Sequence, residues 1–241
     1  MEKLYLDVSA YQKEGSLNYQ KIVTEGGVEG VIIRIGYTGY GKSKTKRIDP
    51  MFAKHYEGFD AMDIPIGVYW YSCATTEKEA VEEANKVIEY LGDRKLELPI
   101  YFDTEDNHDI NNKLNAPESQ ASIGKERLTA VTQAFCKRIK EHGHRVGVYA
   151  STSWFKNRLN LDALREHSIW VAHYGVDKPG IENPDIWQFT SSGRIVGAEG
   201  YLDLNRCLVN LSEKPVEKDY VHRYEKTLGK FKLTIELRWL P

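Results

Sequence analysis

The chain has 241 residues, of which 41% are hydrophobic and 28% charged, the balance of a globular domain and not of a disordered segment. Its formal net charge of −2 exerts no overall pull on nucleic acid or anionic lipid. Cys73, Cys136 and Cys207 lie far apart with no CxxC spacing, which predicts buried free thiols and neither a zinc site nor a disulfide scaffold. The first residues lack the apolar stretch of a signal peptide, and no apolar run reaches the length of a membrane span. The expectation is a chain made in the cytoplasm, or a mature form whose leader was removed, with no membrane insertion.

Short β-rich apolar runs recur along the chain. In order they are Leu4–Ser9, Val31–Tyr37, Ile66–Ser72, Leu98–Glu105, Arg145–Ser151, Ile169–Tyr174, Asp185–Thr190 and Tyr201–Arg206. Eight strands is a number that closes a barrel. Helical spacing marks Tyr19–Glu25, Met51–Ala61, Glu77–Leu91, Lys125–His142 and Trp154–Glu166. Of these, Glu77–Leu91 is the clearest, with Thr76 as cap and an apolar stripe of Ala80, Ala84, Val87, Ile88 and Leu91. After Tyr174 the connections are too short and too rich in Gly and Pro for a covering helix. The class is therefore α/β: an irregular β/α barrel of five β/α units followed by three strands with few covering helices, antiparallel pairing being favoured near its end.

Residues 1–210 read as this barrel and 211–241 as a short β-rich appendage. Phe231, Leu233, Ile235, Leu237 and Trp239 alternate with polar residues, and 228–230 suit a turn back to a strand around Tyr220–Tyr224. Packing on the barrel, homodimerisation and wall binding are all compatible with this tail.

The chemistry concentrates at Asp103-Thr104-Glu105. Residues i and i+2 of a strand share a face, so the two carboxylates project together, about 6.5 Å apart at their Cα atoms. Catalytic groups of a β/α barrel gather at the C-terminal ends of its strands, and paired carboxylates are what glycoside hydrolysis uses. Taken alone, the pair reads as a solvated acidic turn that ends an ordinary strand. Asp7 in the first strand and Asp203 in the last change that, because first and last strands meet when a barrel closes and an acid among apolar neighbours needs a pocket or a partner. A structural salt bridge is the competing role for either.

With these acids in place, the chain resembles the glycoside hydrolase family 25 lysozymes, the N-acetylmuramidases found among phage endolysins and bacterial autolysins. The match runs in order through Asp7-Val8-Ser9, residues 31–34, 67–72, Asp103-Thr104-Glu105-Asp106, residues 147–151, 170–174, 187–191 and Asp203-Leu204-Asn205, covering about residues 3–208. The resemblance implies a retaining cut of the β-1,4 bond between N-acetylmuramic acid and N-acetylglucosamine in bacterial peptidoglycan, acting on the cell wall. By the same resemblance Glu105 is the general acid, its pKa raised by its carboxylate neighbours. Asp103 is either the nucleophile or the group that steadies the substrate's 2-acetamido group, and Asp7 and Asp203 shape the field.

Tyr69 and Tyr71 alternate on one strand, and Tyr149, Tyr174 and Trp187 occupy corresponding places on later ones; as a set they suit the apolar faces of sugars. Gln188 is a candidate donor and acceptor for an N-acetyl group. Arg34 reads equally as an ion-pair partner or a ligand contact. His173 is expected to satisfy a backbone group, and His108 has no role in such a mechanism. No metal spacing occurs and no cofactor is expected. Gly36–Lys42 lacks the phosphate-loop pattern and reads as a mobile loop at the mouth. The alternatives are a chitinase-like hydrolase and a wall-binding lectin without catalysis. A metal-dependent phosphodiesterase barrel is disfavoured because histidines are missing from the strand-end acids.

Overall fold

The computed structural model describes residues 2–106 and 118–211, together with the backbone of 221–228 and 231–238. Its strands are β1 (Lys3–Val8), β2 (Gly30–Thr38), β3 (Lys46–Ile48), β4 (Ile66–Tyr71), β5 (Ile100–Asp103), β6 (Val146–Ser151), β7 (Ser168–Ala172), β8 (Ile186–Gly193) and β9 (Leu202–Cys207). All nine form one sheet, and the pairing of β1 with both β2 and β9 closes every strand but β3 into an eight-stranded barrel. β1, β2 and β4 to β8 run parallel. β9 is antiparallel to both its neighbours, β8 and β1, as the short late connections favour.

The helices are α1 (Tyr19–Thr24), α2 (Phe52–Asp60), α3 (Glu77–Leu91), α4 (Lys125–Lys140), α5 (Thr152–Asn157) and α6 (Leu161–Leu164). They follow the first five barrel strands, and none is described after β7, so the irregular barrel is as the sequence predicts. α3 spans the predicted residues because Thr76 and Glu79 form a reciprocal capping box. The predicted helix Trp154–Glu166 is instead two. Ser151 caps α5, and Asn160 accepts from the backbone N–H of Ala163, restarting the chain as α6. The glycine-rich segment from Gly36 differs too: β2 runs through Thr38, and Gly39 N–H donates to Thr45 O at 2.8 Å where the chain turns into β3.

The strand alternation sorts the core into two shells. Leu6, Val31, Ile33, Val68, Phe102, Val148 and Val171 face outward and pack under the helices, as where Phe102 meets Phe135 of α4 with ring centroids 5.0 Å apart. Burying a side chain of this size contributes about 1.5–3 kcal/mol. Inside the barrel, Tyr5, Ile32, Leu98, Tyr101, Ile186 and Cys207 fill the end nearest the parallel strands' N-termini. The inward position of β6 is Gly147 because a Cβ there would sit 2.3 Å from the Tyr101 ring. All three cysteines are buried and outside any disulfide. β10 (Val221–Leu228) and β11 (Phe231–Arg238) pair antiparallel with Leu228 opposite Phe231, the pairing expected of the tail. Among the described residues no helix is long and apolar enough to cross a membrane.

Candidate active site

At the other end of the barrel interior the inward positions turn polar. Asp7 lies directly across from Asp203 in the β1–β9 ladder, and Asp103 lies between Tyr71 of β4 and Tyr149 of β6. β5 ends at Asp103, two residues short of the predicted strand, so Glu105 stands just beyond it. Thr104 N–H still donates to Tyr149 O at 3.0 Å, which carries the strand direction one residue further. These side chains line a cleft of about 840 Å³ together with Arg34, Tyr69, Tyr71, Tyr149, Tyr174 and Gln188.

One hydrogen-bonded chain orders the cleft wall. Asp7 Oδ2 accepts from Gln188 Nε2 at 2.9 Å and from Asn205 Nδ2 at 2.7 Å. Gln188 Oε1 accepts from the hydroxyls of Tyr149 and Tyr174, and Asn205 Oδ1 accepts from the Trp170 indole at 2.7 Å. With Asp7 as acceptor and the tyrosines as donors, both amides have a single fitting orientation. Gln188 thus orients its neighbours, its oxygen engaged by the two tyrosine hydroxyls and its nitrogen by Asp7.

Arg34 reaches Asp49 through its Nε at 2.6 Å, and its guanidinium lies 5.3 Å from the ring centroids of both Tyr11 and Tyr37 while lining the cleft. It is therefore an ion-pair partner placed at the cleft wall. Trp187 does not join the site. It follows inward Ile186 and precedes inward Gln188, so its side chain points outward, where its indole donates to His173 O and Arg206 stacks over the ring. His173 Nδ1 lies 3.1 Å from Lys178 O. His108 lies outside the described residues.

The acids are held above their ordinary range. Burial pushes Asp103 well up, and the Glu105 charge and the hydrogen bond between the two raise it further. Glu105 is raised chiefly by burial, with Asp203 adding repulsion and the bond from Asp103 opposing. Burial comes first here, ahead of the like-charge repulsion that sequence alone suggested. Asp7 is raised well up by burial and then by Asp203, against the bonds from Asn205 and Gln188. Asp203 is pushed up to about 6 by burial. Asp103 Oδ1 is buried without a hydrogen-bond partner, an acceptor left open. Such a set shares protons, and its titration belongs to the group more than to any member.

Several cleft residues escaped the sequence reading. Trp170 forms part of the lining, and Tyr11, Tyr40 and Tyr201 stand at its rim, Tyr11 83% and Tyr201 61% exposed. Asn205 had a signal, being two residues from Asp203 on the same strand face. Among the described residues no grouping of His, Cys, Asp and Glu could hold a metal ion.

The sequence pattern of the family described as Glycosyl hydrolases family 25 matches residues 6–198. The chain belongs to that family. Its barrel is the glycosyl hydrolase family 25 domain. Among curated proteins it is similar to the autolytic lysozyme of Clostridium acetobutylicum, 25% identical over 201 residues that cover 82% of this chain and 54% of that protein. The chain thus spans about half the length of that relative. Among solved structures, the modular autolysin LytC of Streptococcus pneumoniae aligns with a TM-score of 0.73 and 28% identity, over 85% of this chain and 46% of LytC. The catalytic domain of the endolysin ply40 from Listeria monocytogenes bacteriophage P40 aligns with a TM-score of 0.67 and 27% identity, over 88% of this chain and 96% of that domain.

Proposed function

We propose that this family 25 barrel is a lysozyme that hydrolyses bacterial peptidoglycan at the β-1,4 bond between N-acetylmuramic acid and N-acetylglucosamine, with retention at the anomeric carbon. The observation that carries the reading is the Asp103–Glu105 pair of desolvated carboxyls in a tyrosine-lined cleft at the strand ends. A LytC structure is described as a complex with a synthetic peptidoglycan ligand, which supports the substrate class.

Glu105 shares a proton with Asp103, and the form that reacts is the one in which Glu105 carries it and gives it to the leaving glycosidic oxygen while Asp103 is ionised. Asp103, with Oδ1 open, receives the N–H of the substrate's 2-acetamido group, whose carbonyl oxygen attacks the anomeric carbon as the glycosidic bond breaks. Water, giving its proton to the Glu105 carboxylate, then attacks the same carbon and breaks the new C–O bond, so that the two inversions leave net retention. Asp7 and Asp203 oppose the positive charge that develops on the sugar ring. Tyr69, Tyr71, Tyr149 and Tyr174 offer flat faces and hydroxyl edges to the pyranose rings. Residues 1–210 make up the catalytic part and the hairpin beyond is an appendage, the enzyme acting at the cell wall.

Mass analysis of fragments released from purified peptidoglycan tests this, with chitin digested in parallel. Reducing N-acetylmuramic acid ends are expected. Reducing glucosamine ends, or cleavage of chitin alone, would overturn the assignment.

A further inference from the structure

Behind the barrel wall, on the side away from the cleft, lies a fully buried carboxylate that the mechanism does not use. Glu83 of α3 belongs to the stripe of Ala80, Ala84 and Val87 and is fully buried. Its Oε1 accepts from Thr38 Oγ1 at 2.5 Å and from Cys73 N–H at 3.3 Å, and its Oε2 from Ser72 Oγ at 2.6 Å. Thr38 Oγ1 accepts in turn from the Trp70 indole at 3.1 Å. All of Glu83's bonds are accepted, none comes from a cation, and burial pushes its carboxyl up to about 7. An apolar residue in its place would leave the Thr38 and Ser72 hydroxyls and the Cys73 N–H without this acceptor.

The second branch from Glu83 ends at the catalytic pair. Ser72 Oγ accepts from Gln120 Nε2 at 3.1 Å, and the same nitrogen donates to Ala74 O at 3.1 Å. Gln120 Oε1 then accepts from Thr104 Oγ1 at 2.9 Å. Ser72 also donates its backbone N–H to Asp103 O at 3.0 Å. Ser72, Glu83, Thr104 and Gln120 are all excluded from solvent. Each link has one workable direction: the Thr104 hydroxyl must donate to the amide oxygen, so the amide nitrogen faces Ser72 and the Ser72 proton goes to Glu83.

Thr104 is the residue between the two acids, and its side chain points away from the cleft while theirs point in. The β5 ladder stops at Asp103, so beyond the Thr104 N–H the side-chain bond to Gln120 is the next restraint on where Glu105 is aimed. We propose that Glu83 anchors a relay through Ser72, Gln120 and Thr104 that positions the Asp103–Glu105 pair for catalysis. Glu83, Gln120 and Thr104 are positioning residues, none of them touching the cleft. The inference rests on the reading of Asp103 and Glu105 as the reacting pair.

Turnover of a soluble peptidoglycan fragment by Thr104→Val, Thr104→Ser, Glu83→Gln and Glu105→Gln tests it, with unfolding followed alongside. Thr104→Val keeps the shape and loses the donor. It is expected to lower kcat on the order of 10- to 100-fold with KM within about twofold, since misplacement by an ångström has that scale of effect. Thr104→Ser is expected to restore kcat. Glu83→Gln removes one acceptor, and combined with Thr104→Val it is expected to do no more harm than the worse single change, because both act through one chain. If Glu105→Gln is inactive while Thr104→Val keeps the parent kcat, or if serine fails to rescue, the relay is wrong. If Glu105→Gln turns over like the parent, the catalytic reading itself fails, and the relay with it. Should Glu83→Gln not fold, the valine and serine pair at position 104 decides.

Discussion

The two ends of the barrel interior are built from the same strands and do opposite things. One inward step along each strand separates Tyr5 from Asp7, Ile32 from Arg34, Tyr101 from Asp103 and Ile186 from Gln188. The lower member of each pair fills space, with Tyr101 packed 5.2 Å from the Trp170 ring and its hydroxyl 3.0 Å from Ser168 Oγ. The upper member brings a charge or an amide to the cleft, and four carboxylates of raised pKa, Asp7, Asp103, Glu105 and Asp203, gather there beside Asp106, with Arg34 as the cation among the lining residues. Filling space contributes to stability wherever it is well packed. Crowding acids in a partly desolvated cleft works against folding, and the raised pKa values of all four are the sign of it. Strand ends therefore divide the labour, stability below and chemistry above.

Substitutions at the two ends should separate these roles. The largest effect is expected from Glu105→Gln, which lowers kcat about 10²- to 10⁴-fold, the usual worth of a general acid, while the circular dichroism spectrum stays that of the parent. Tyr101→Ala is expected to act in the reverse sense. It lowers unfolding free energy by about 3–5 kcal/mol in urea titration and leaves kcat near the parent value at temperatures where the protein remains folded. A loss of kcat without a loss of stability at Tyr101 would break the contrast.

Asp203→Asn sharpens it further, because a cleft variant is expected to be more stable than the parent. The folded value of about 6 lies above the unfolded carboxylate, about 3.9, so the native state holds the proton more tightly. The side chain's stabilising contribution is fully present below about pH 4 and is lost as pH rises through 6. Urea unfolding at pH 4 and pH 7 should show a smaller decline in the asparagine variant. Removing the Asp203 charge also lowers Glu105, so the basic limb of the pH–rate profile is expected to move to lower pH. The smallest effect is expected from Trp187→Phe, which loses the bond to His173 O for about 1 kcal/mol of stability and leaves kcat/KM unchanged.

Trp187 also shows what sequence could and could not convey. Barrel closure, the order of strands and the convergence of Asp7, Asp103, Glu105 and Asp203 follow from patterns of period two and from the capping of α3. Adjacent Trp187 and Gln188 cannot both face the cleft, so alternation alone excludes one of them, and anchoring Gln188 opposite Asn205 decides which. The partner of Arg34 was not legible, since Asp49 sits fifteen residues away across the β2–β3 hairpin. Nor was the break at Asn160, where a side-chain bond overrides a continuous helical pattern, or β3, whose three residues are too few to carry a period.

The reversed closing strand has a consequence in time. Asp7 takes its hydrogen bonds from Gln188 and Asn205, 181 and 198 residues further along the chain. A growing polypeptide emerging from the ribosome holds Asp7 early, yet it can assemble no cleft until β9 has been made and has turned back beside β1. Contacts of such long sequence separation form slowly, because the intervening loop must close first. Activity thus appears only at the final seam of folding, and a chain cut short before Leu202 carries every catalytic acid but Asp203 with no barrel to aim them.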